Sequence, residues 1–172
     1  MLIISREAPI KVGRHAWNVF PLEAFGFLLG REANKEIYAA LPHSKTKYWY
    51  KYEDRWAGVY NDIEKARFVG NLLNLDVVGF YASTDFGGRD DFPIPSFIKN
   101  TSMELILLYQ TICCPQCSWS SYKYNNKWLI PDEDYVVPRG KRISNAINQK
   151  RITKEWNRVY GIIDYSNKPR HS

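Results

Sequence analysis

The sequence predicts an α/β or α+β domain, and the reading preferred here is α/β. Three observations carry it. Strongly apolar segments at 23–30, 76–83 and 103–109 are long enough for buried strands and too short for helices. One long helical face lies between the first two, over residues 56–72. A last alternating segment, 118–129, folds back on itself around Asn125-Asn126. Strands, a long helix, then more strands suit a sheet with helices packed on it.

Taken in order, Leu2-Ile3-Ile4 starts an edge strand, and Pro9 suits a first helical turn. Ile10, Ala16 and Val19 or Phe20 then mark a short helix ending near Pro21, with Gly13 weakening it. Glu23 to Gly30 is apolar and closed by glycine, so it reads as a buried strand. Glu36 to Leu41 pairs back on it after the Asn34-Lys35 turn. Tyr48, Tyr50 and Tyr52 alternate as in a strand. Trp56, Tyr60, Ile63, Phe68 and Leu72 form the helical face; Asp62 points away from it, and Glu64 and Arg67 intrude. Asp76 to Ser83 is the next strand. Gly87, Gly88, Pro93 and Pro95 mark a loop. Met103 to Tyr109 is another buried strand. After Pro138 come two helix candidates, one with Ile143, Ala146 and Ile147. The other starts at Thr153 as N-cap and aligns Trp156, Val159 and Tyr160.

The 172 residues fit one domain, 1–135, plus a basic helical C-terminal extension, 136–172. The formal charge is +6, and residues 139–172 hold nine Lys/Arg against Glu155 and Asp164. A nearly neutral body with a basic tail suits an acidic partner, nucleic acid included, with Trp156 and Tyr160 beside the charge. The plainer reading is a solvated amphipathic helix. No apolar run reaches membrane-spanning length, and Met1 to Glu7 is too soon charged for a signal peptide. Three cysteines crowded at 113, 114 and 117 are no disulfide framework. A cytoplasmic location with no membrane partner is the expectation.

Cys114-Pro115-Gln116-Cys117 has zinc-knuckle spacing, and Cys113 adds a thiol. A closed structural site needs about four ligands. His43 or His171 would have to complete it, so a plain cysteine cluster is preferred. His15 reads as serving helix packing or solvent rather than chemistry.

Asp76-Val77-Val78-Gly79-Phe80-Tyr81-Ala82-Ser83-Thr84-Asp85 resembles the metal strand of JAB/MPN (JAMM) domains, whose pattern ends in His-Ser-His-Pro. Other segments follow in the family's order. Pro21-Leu22-Glu23-Ala24-Phe25-Gly26-Phe27-Leu28-Leu29-Gly30 is similar to its Pro-x-Glu-x-x-Gly-x-Leu-x-Gly strand, and Pro95-Ser96 to the Pro-Ser before the last ligand. The resemblance spans about residues 2–130. It implies a mixed β-sheet flanked by helices, of cytidine-deaminase-like type.

In active members two His and an Asp bind zinc, and a Glu serves as general base. The resemblance maps Glu23 onto that base, Ser83 onto the Ser between the histidines, and Ser96 onto the Ser of the Ser-x-x-Asp element. Ala82 and Thr84 replace the two His, and Lys99 stands at the Asp. Ala has no ligand atom, and a Lys ammonium repels a cation. The resemblance therefore implies a degenerate member without the catalytic zinc and without other cofactor. Such a pseudoenzyme would act as an interaction or scaffold domain, pairing with another MPN-domain protein or with itself. Lys99 would compensate Glu23. The alternatives are a metal-dependent isopeptidase or peptidase acting near a ubiquitin-like protein, with an altered site built from Glu23, Asp85, Asp90 or Asp91, and nucleic-acid binding through the tail.

Overall fold

The computed structural model describes residues 2–5, 7–20, 22–34, 36–47, 58–84, 105–111, 117–125, 128–131, 135–136 and 149–164. In chain order they form β1 (Leu2–Ile4), α1 (Glu7–Val19), β2 (Glu23–Arg31), a 3-10 turn (Glu32–Asn34) and β3 (Glu36–Lys47). Then come α2 (Ile63–Leu72), β4 (Asp76–Thr84), β5 (Leu105–Thr111), β6 (Cys117–Asn125), β7 (Trp128–Pro131), β8 (Tyr135–Val136) and α3 (Gln149–Tyr160). Among the described residues no helix is long and apolar enough to cross a membrane.

The strands make one mixed sheet in the order β7-β6-β5-β4-β2-β3-β1-β8. Pairing is parallel at β4–β5, β1–β3 and β1–β8, and antiparallel elsewhere. The α/β class is thus the observed one. The hairpin expected around Asn125-Asn126 is β6–β7, with Asn125 opposite Trp128.

β2 is central, and its first eight residues are buried. Alternation sends its side chains to two cores. Ala24 and Leu28 pack with Ala8, Val12, Ala16 and Val19 of α1. Phe25, Phe27 and Leu29 pack with Ile63, Ala66 and Val69 of α2 and with Ile152 and Trp156 of α3. The helices therefore flank both faces.

Two glycines allow the close approaches that this layering needs. Gly26 lies opposite Tyr81 in the β2–β4 register. A Cβ there would stand 2.3 Å from the Tyr81 ring and 2.4 Å from the Leu41 carbonyl oxygen. The bare backbone lets the tyrosine lie across β2. Gly70 similarly brings α2 against Leu75, whose carbonyl oxygen would be 2.7 Å from an added Cβ.

Several expectations are corrected. β3 continues to Lys47 rather than stopping at Leu41. Pro42 stays within it opposite Gly26 of β2, and on its other side the β1 pairing covers only Glu36 and Ile37, so its ring nitrogen can face that unpaired edge. The helical face at 56–72 is not the buried one: α2 buries Ile63, Ala66, Val69 and Gly70, while Phe68 and Leu72 are exposed. Small residues line the close side, which a search for large apolar side chains passes over. Thr153 is no N-cap; α3 begins at Gln149 and carries Thr153 in its interior. Residues 48–57 and the candidate helix at Ile143–Ile147 lie outside the described residues.

α3 is amphipathic. Ile152 and Trp156 are buried, and Lys150, Arg151, Lys154 and Arg158 are exposed. The Trp156 indole N–H donates to the Pro42 carbonyl at 2.8 Å. The ring is 2% exposed, so it is core and unavailable for stacking on a ligand.

Gly26→Ala is expected to lower stability by about 1–3 kcal/mol, because the added methyl must displace Tyr81 or part β2 from β3. Urea unfolding checks it: the midpoint should fall with an unchanged slope.

Candidate functional site

Three of the residues singled out from sequence, with Ser83 between two of them, meet at one end of the β2–β4 pair. Phe25 is directly opposite Ala82. Glu23 stands two residues before Phe25 on β2, where the pairing with β3 is irregular, and β4 ends at Thr84, two residues after Ala82. Glu23 is 3% exposed and Ala82 1%. Ser83 takes the other face, and its hydroxyl oxygen accepts the Ala24 backbone N–H at 2.8 Å. That bond locks the strand ends together beside Glu23.

This end does not fit a zinc ion. Ala82 brings a methyl group into a cluster with Phe25 and Phe80, where a metal would need a donor atom. Among the described residues no three His, Cys, Asp or Glu side chains group closely enough to hold a metal. Asp85, Asp90, Asp91, Ser96, Lys99, Cys113, Cys114 and His171 lie outside the described residues. The Glu23–Lys99 contact and the thiol site fall there too. Cys117 opens β6 opposite Thr111.

On the same face stands a polar group whose arrangement sequence reasoning missed. Phe25 has His43 of β3 on its other side, so Ala82, Phe25 and His43 form one row across the sheet. The His43 imidazole is 1% exposed. Its Nε2 is 2.6 Å from an Asp62 carboxylate oxygen, and Lys65 Nζ is 3.2 Å from the other. The His43 ring packs on Phe27 and Tyr160, with centroids at 6.1 and 5.1 Å. Tyr160 stacks on Trp156 at 4.5 Å, and its hydroxyl accepts the Ser44 backbone N–H at 2.7 Å. This seam ties β3, α2 and α3 together.

A burial argument could have found the seam. Ala39 and Leu41 face this core, so alternation turns His43 inward, where an imidazole needs a partner. Asp62, expected to point to solvent, supplies it. Partial burial by itself would raise the Asp62 pKa. The hydrogen bonds from His43 and Lys65 outweigh that and hold it below the ordinary carboxylate value. Burial raises the Tyr160 pKa, against the opposing bonds to Ser44.

His15 is packed inside rather than facing solvent. It is 2% exposed on α1, with Nδ1 2.7 Å from the Tyr81 hydroxyl and the rings edge to face. Burial, with the nearby His43 and Lys11, pushes its pKa down to about 3. The imidazole is neutral at neutral pH, which suits a structural link between α1 and β4 through the ring that crosses Gly26.

No family model matches the chain, and no curated protein does. Solved structures resemble the fold. Protein DSY2949 from Desulfitobacterium hafniense, determined in solution, aligns with a TM-score of 0.51 and 11% identity over 86% of this chain and 99% of that one. A protein from Salinibacter ruber, also determined in solution, gives 0.48 and 18% over 83% and 94%. At such identity the first likeness concerns the α/β fold alone.

His15 binds its proton only when unfolded, between about pH 6 and pH 4. Its folded pKa is depressed, so the stability is present above the unfolded value and is lost as pH falls. The loss should approach about 1.4 kcal/mol per pH unit. Urea midpoints from pH 7 to 4.5 should show a shallower decline for His15→Gln, which keeps an acceptor for Tyr81; equal slopes in both proteins contradict the assignment. Asp62 has the same sign at lower pH: its stability is present above its unfolded pKa and is lost below it. Asp62→Asn should cost about 1–2 kcal/mol at pH 7 and flatten the acid limb below pH 4, as calorimetry across that range would record.

Proposed function

We propose that this chain is a degenerate JAB/MPN-like domain that has lost the zinc centre and serves as a non-catalytic interaction or scaffold module. The observation that carries the reading is the row Ala82–Phe25–His43, with the buried Glu23 two residues along β2 from Phe25. The carboxylate that the resemblance maps onto a general base comes beside the positions mapped onto metal ligands, and one of those positions is a methyl group in the core. With a methyl group at position 82, one mapped ligand for a metal-bound water is missing, so on this reading the buried Glu serves the polar framework. The mixed sheet with helices on both faces supports the reading.

The reading names its partner by class: another MPN-domain protein, or a second copy of the chain. Exposed apolar side chains on both flanking helices, Trp17 on α1 and Phe68 and Leu72 on α2, offer contact area for such pairing. The altered-metal isopeptidase is the outcome that would replace it.

The test restores the ligands. In a background with Cys113, Cys114 and Cys117 changed to Ser, Ala82→His, Thr84→His and Lys99→Asp should create a site taking up one zinc per chain. The same background without the three changes should bind none by elemental analysis. Zinc held stoichiometrically by the cysteine-free parent would overturn the pseudoenzyme reading. A triple variant that folds but binds no zinc would overturn the family mapping. Sedimentation velocity on the parent, alone and with an MPN-domain protein, reads the pairing.

A further inference from the structure

α1 and α3 cover opposite faces of the sheet and meet past the edge of β3 that β1 leaves uncovered. There Lys11 Nζ donates to Thr153 Oγ1 at 2.6 Å. Between the helices runs an open groove of about 780 Å³ with Pro42 among its lining residues. Lys11 and Arg14 line it from α1, and Lys150 and Lys154 from α3; Glu7 is the one carboxylate among the lining residues. Among the described residues no ion pair is made to Lys11, Arg14 or Lys154. Burial lowers the Lys11 pKa, so this ammonium sits partly desolvated without a counter-charge, which an incoming anion would supply.

The cations are spaced as a track. Lys150 and Lys154 are one helical turn apart, about 6 Å along the axis, and Lys11 and Arg14 nearly so. Asn18, Thr153 and Asn157 add amide and hydroxyl groups suited to phosphate and sugar oxygens. Trp17 does not line the groove; it precedes the groove residue Asn18 on α1 and shares the helical stripe of Ile10, two turns earlier. Its indole is 42% exposed and leans on Phe20 with ring centroids 5.6 Å apart.

We propose that the groove between α1 and α3 binds the phosphate backbone of single-stranded nucleic acid, with Trp17 stacking a base beside it. A charged track beside an exposed aromatic face is how single strands are held without sequence readout. The groove walls are bridged directly by the Lys11–Thr153 bond, which suits one strand rather than a duplex. An acidic peptide would satisfy the cations but gives the indole no task. This binding surface uses no residue of the Glu23–Ala82 end and shares only Trp17 with the proposed pairing surface.

Fluorescence anisotropy with labelled oligothymidylate and oligouridylate tests it on the full chain. The logarithm of affinity should fall linearly with the logarithm of salt concentration. Arg14→Gln with Lys154→Gln should weaken binding about tenfold at moderate salt and make that slope shallower. Trp17→Ala should weaken it about tenfold with the slope retained. All three side chains are exposed, and circular dichroism checks that the variants fold. Three results would each overturn the proposal: polyglutamate competing as well as unlabelled oligonucleotide, Trp17→Ala binding like wild type, or Lys168→Gln with Arg170→Gln removing the affinity while the groove variant keeps it.

Discussion

Burial of β2 on both faces is the constraint from which the rest of the structure follows. A strand covered on both sides must alternate between two cores rather than between core and water. Phe25, Phe27 and Leu29 fill one side, and Ala24, Gly26 and Leu28 the other. The asymmetry is steep: large rings face α2 and α3, while small residues face α1. That small side is what lets Tyr81 lie across Gly26 and bring its hydroxyl to His15. A helix, a strand and a glycine are thus coupled through one aromatic ring.

The large side carries the opposite problem. Its core ends at His43, an imidazole with 1% exposure that must be given hydrogen bonds. Asp62, just ahead of α2, meets it and is itself held by Lys65 of α2, and Tyr160 from α3 packs on its ring while bonding to Ser44. α3 is anchored on the same side by Trp156, whose N–H takes up the carbonyl of Pro42. The proline that interrupts β3 as a donor therefore serves as an acceptor. Packing and polar satisfaction here reinforce each other: the stacked Trp156–Tyr160 pair positions the hydroxyl, and the hydroxyl fixes the start of the segment after His43.

How legible this was from sequence depended on side-chain size. β2, β4, the β6–β7 hairpin and α1 were readable because large apolar residues or turn residues marked them. The buried face of α2 was not, since Ala66 and Gly70 make up half of it beside Ile63 and Val69 and hydrophobic periodicity weighs them lightly. β3 was read short, as Glu36 to Leu41, whereas the strand runs on through Pro42 to Lys47. Glu23, Ala82 and Ser83 could be brought together in advance only through a family resemblance. Register is a tertiary property that depends on which strands neighbour one another. His43 and Asp62 are 19 residues apart, and each was assigned a separate fate.

The two faces also separate what the chain can do. Ala82 belongs to the cluster of Phe25 and Phe80, so on the proposed reading the former ligand position now contributes to stability. A side chain with a donor atom there would have to open that core, which makes the loss of chemistry self-reinforcing: each methyl packed inward raises the cost of regaining an imidazole. The groove between α1 and α3 is under no such bind. Its cations are mostly exposed, its walls are held by the Lys11–Thr153 bond, and surface changes there leave both cores untouched. On that reading the chain keeps its freedom to gain function at such an edge, where two helices from opposite faces meet and most of the side chains between them are exposed.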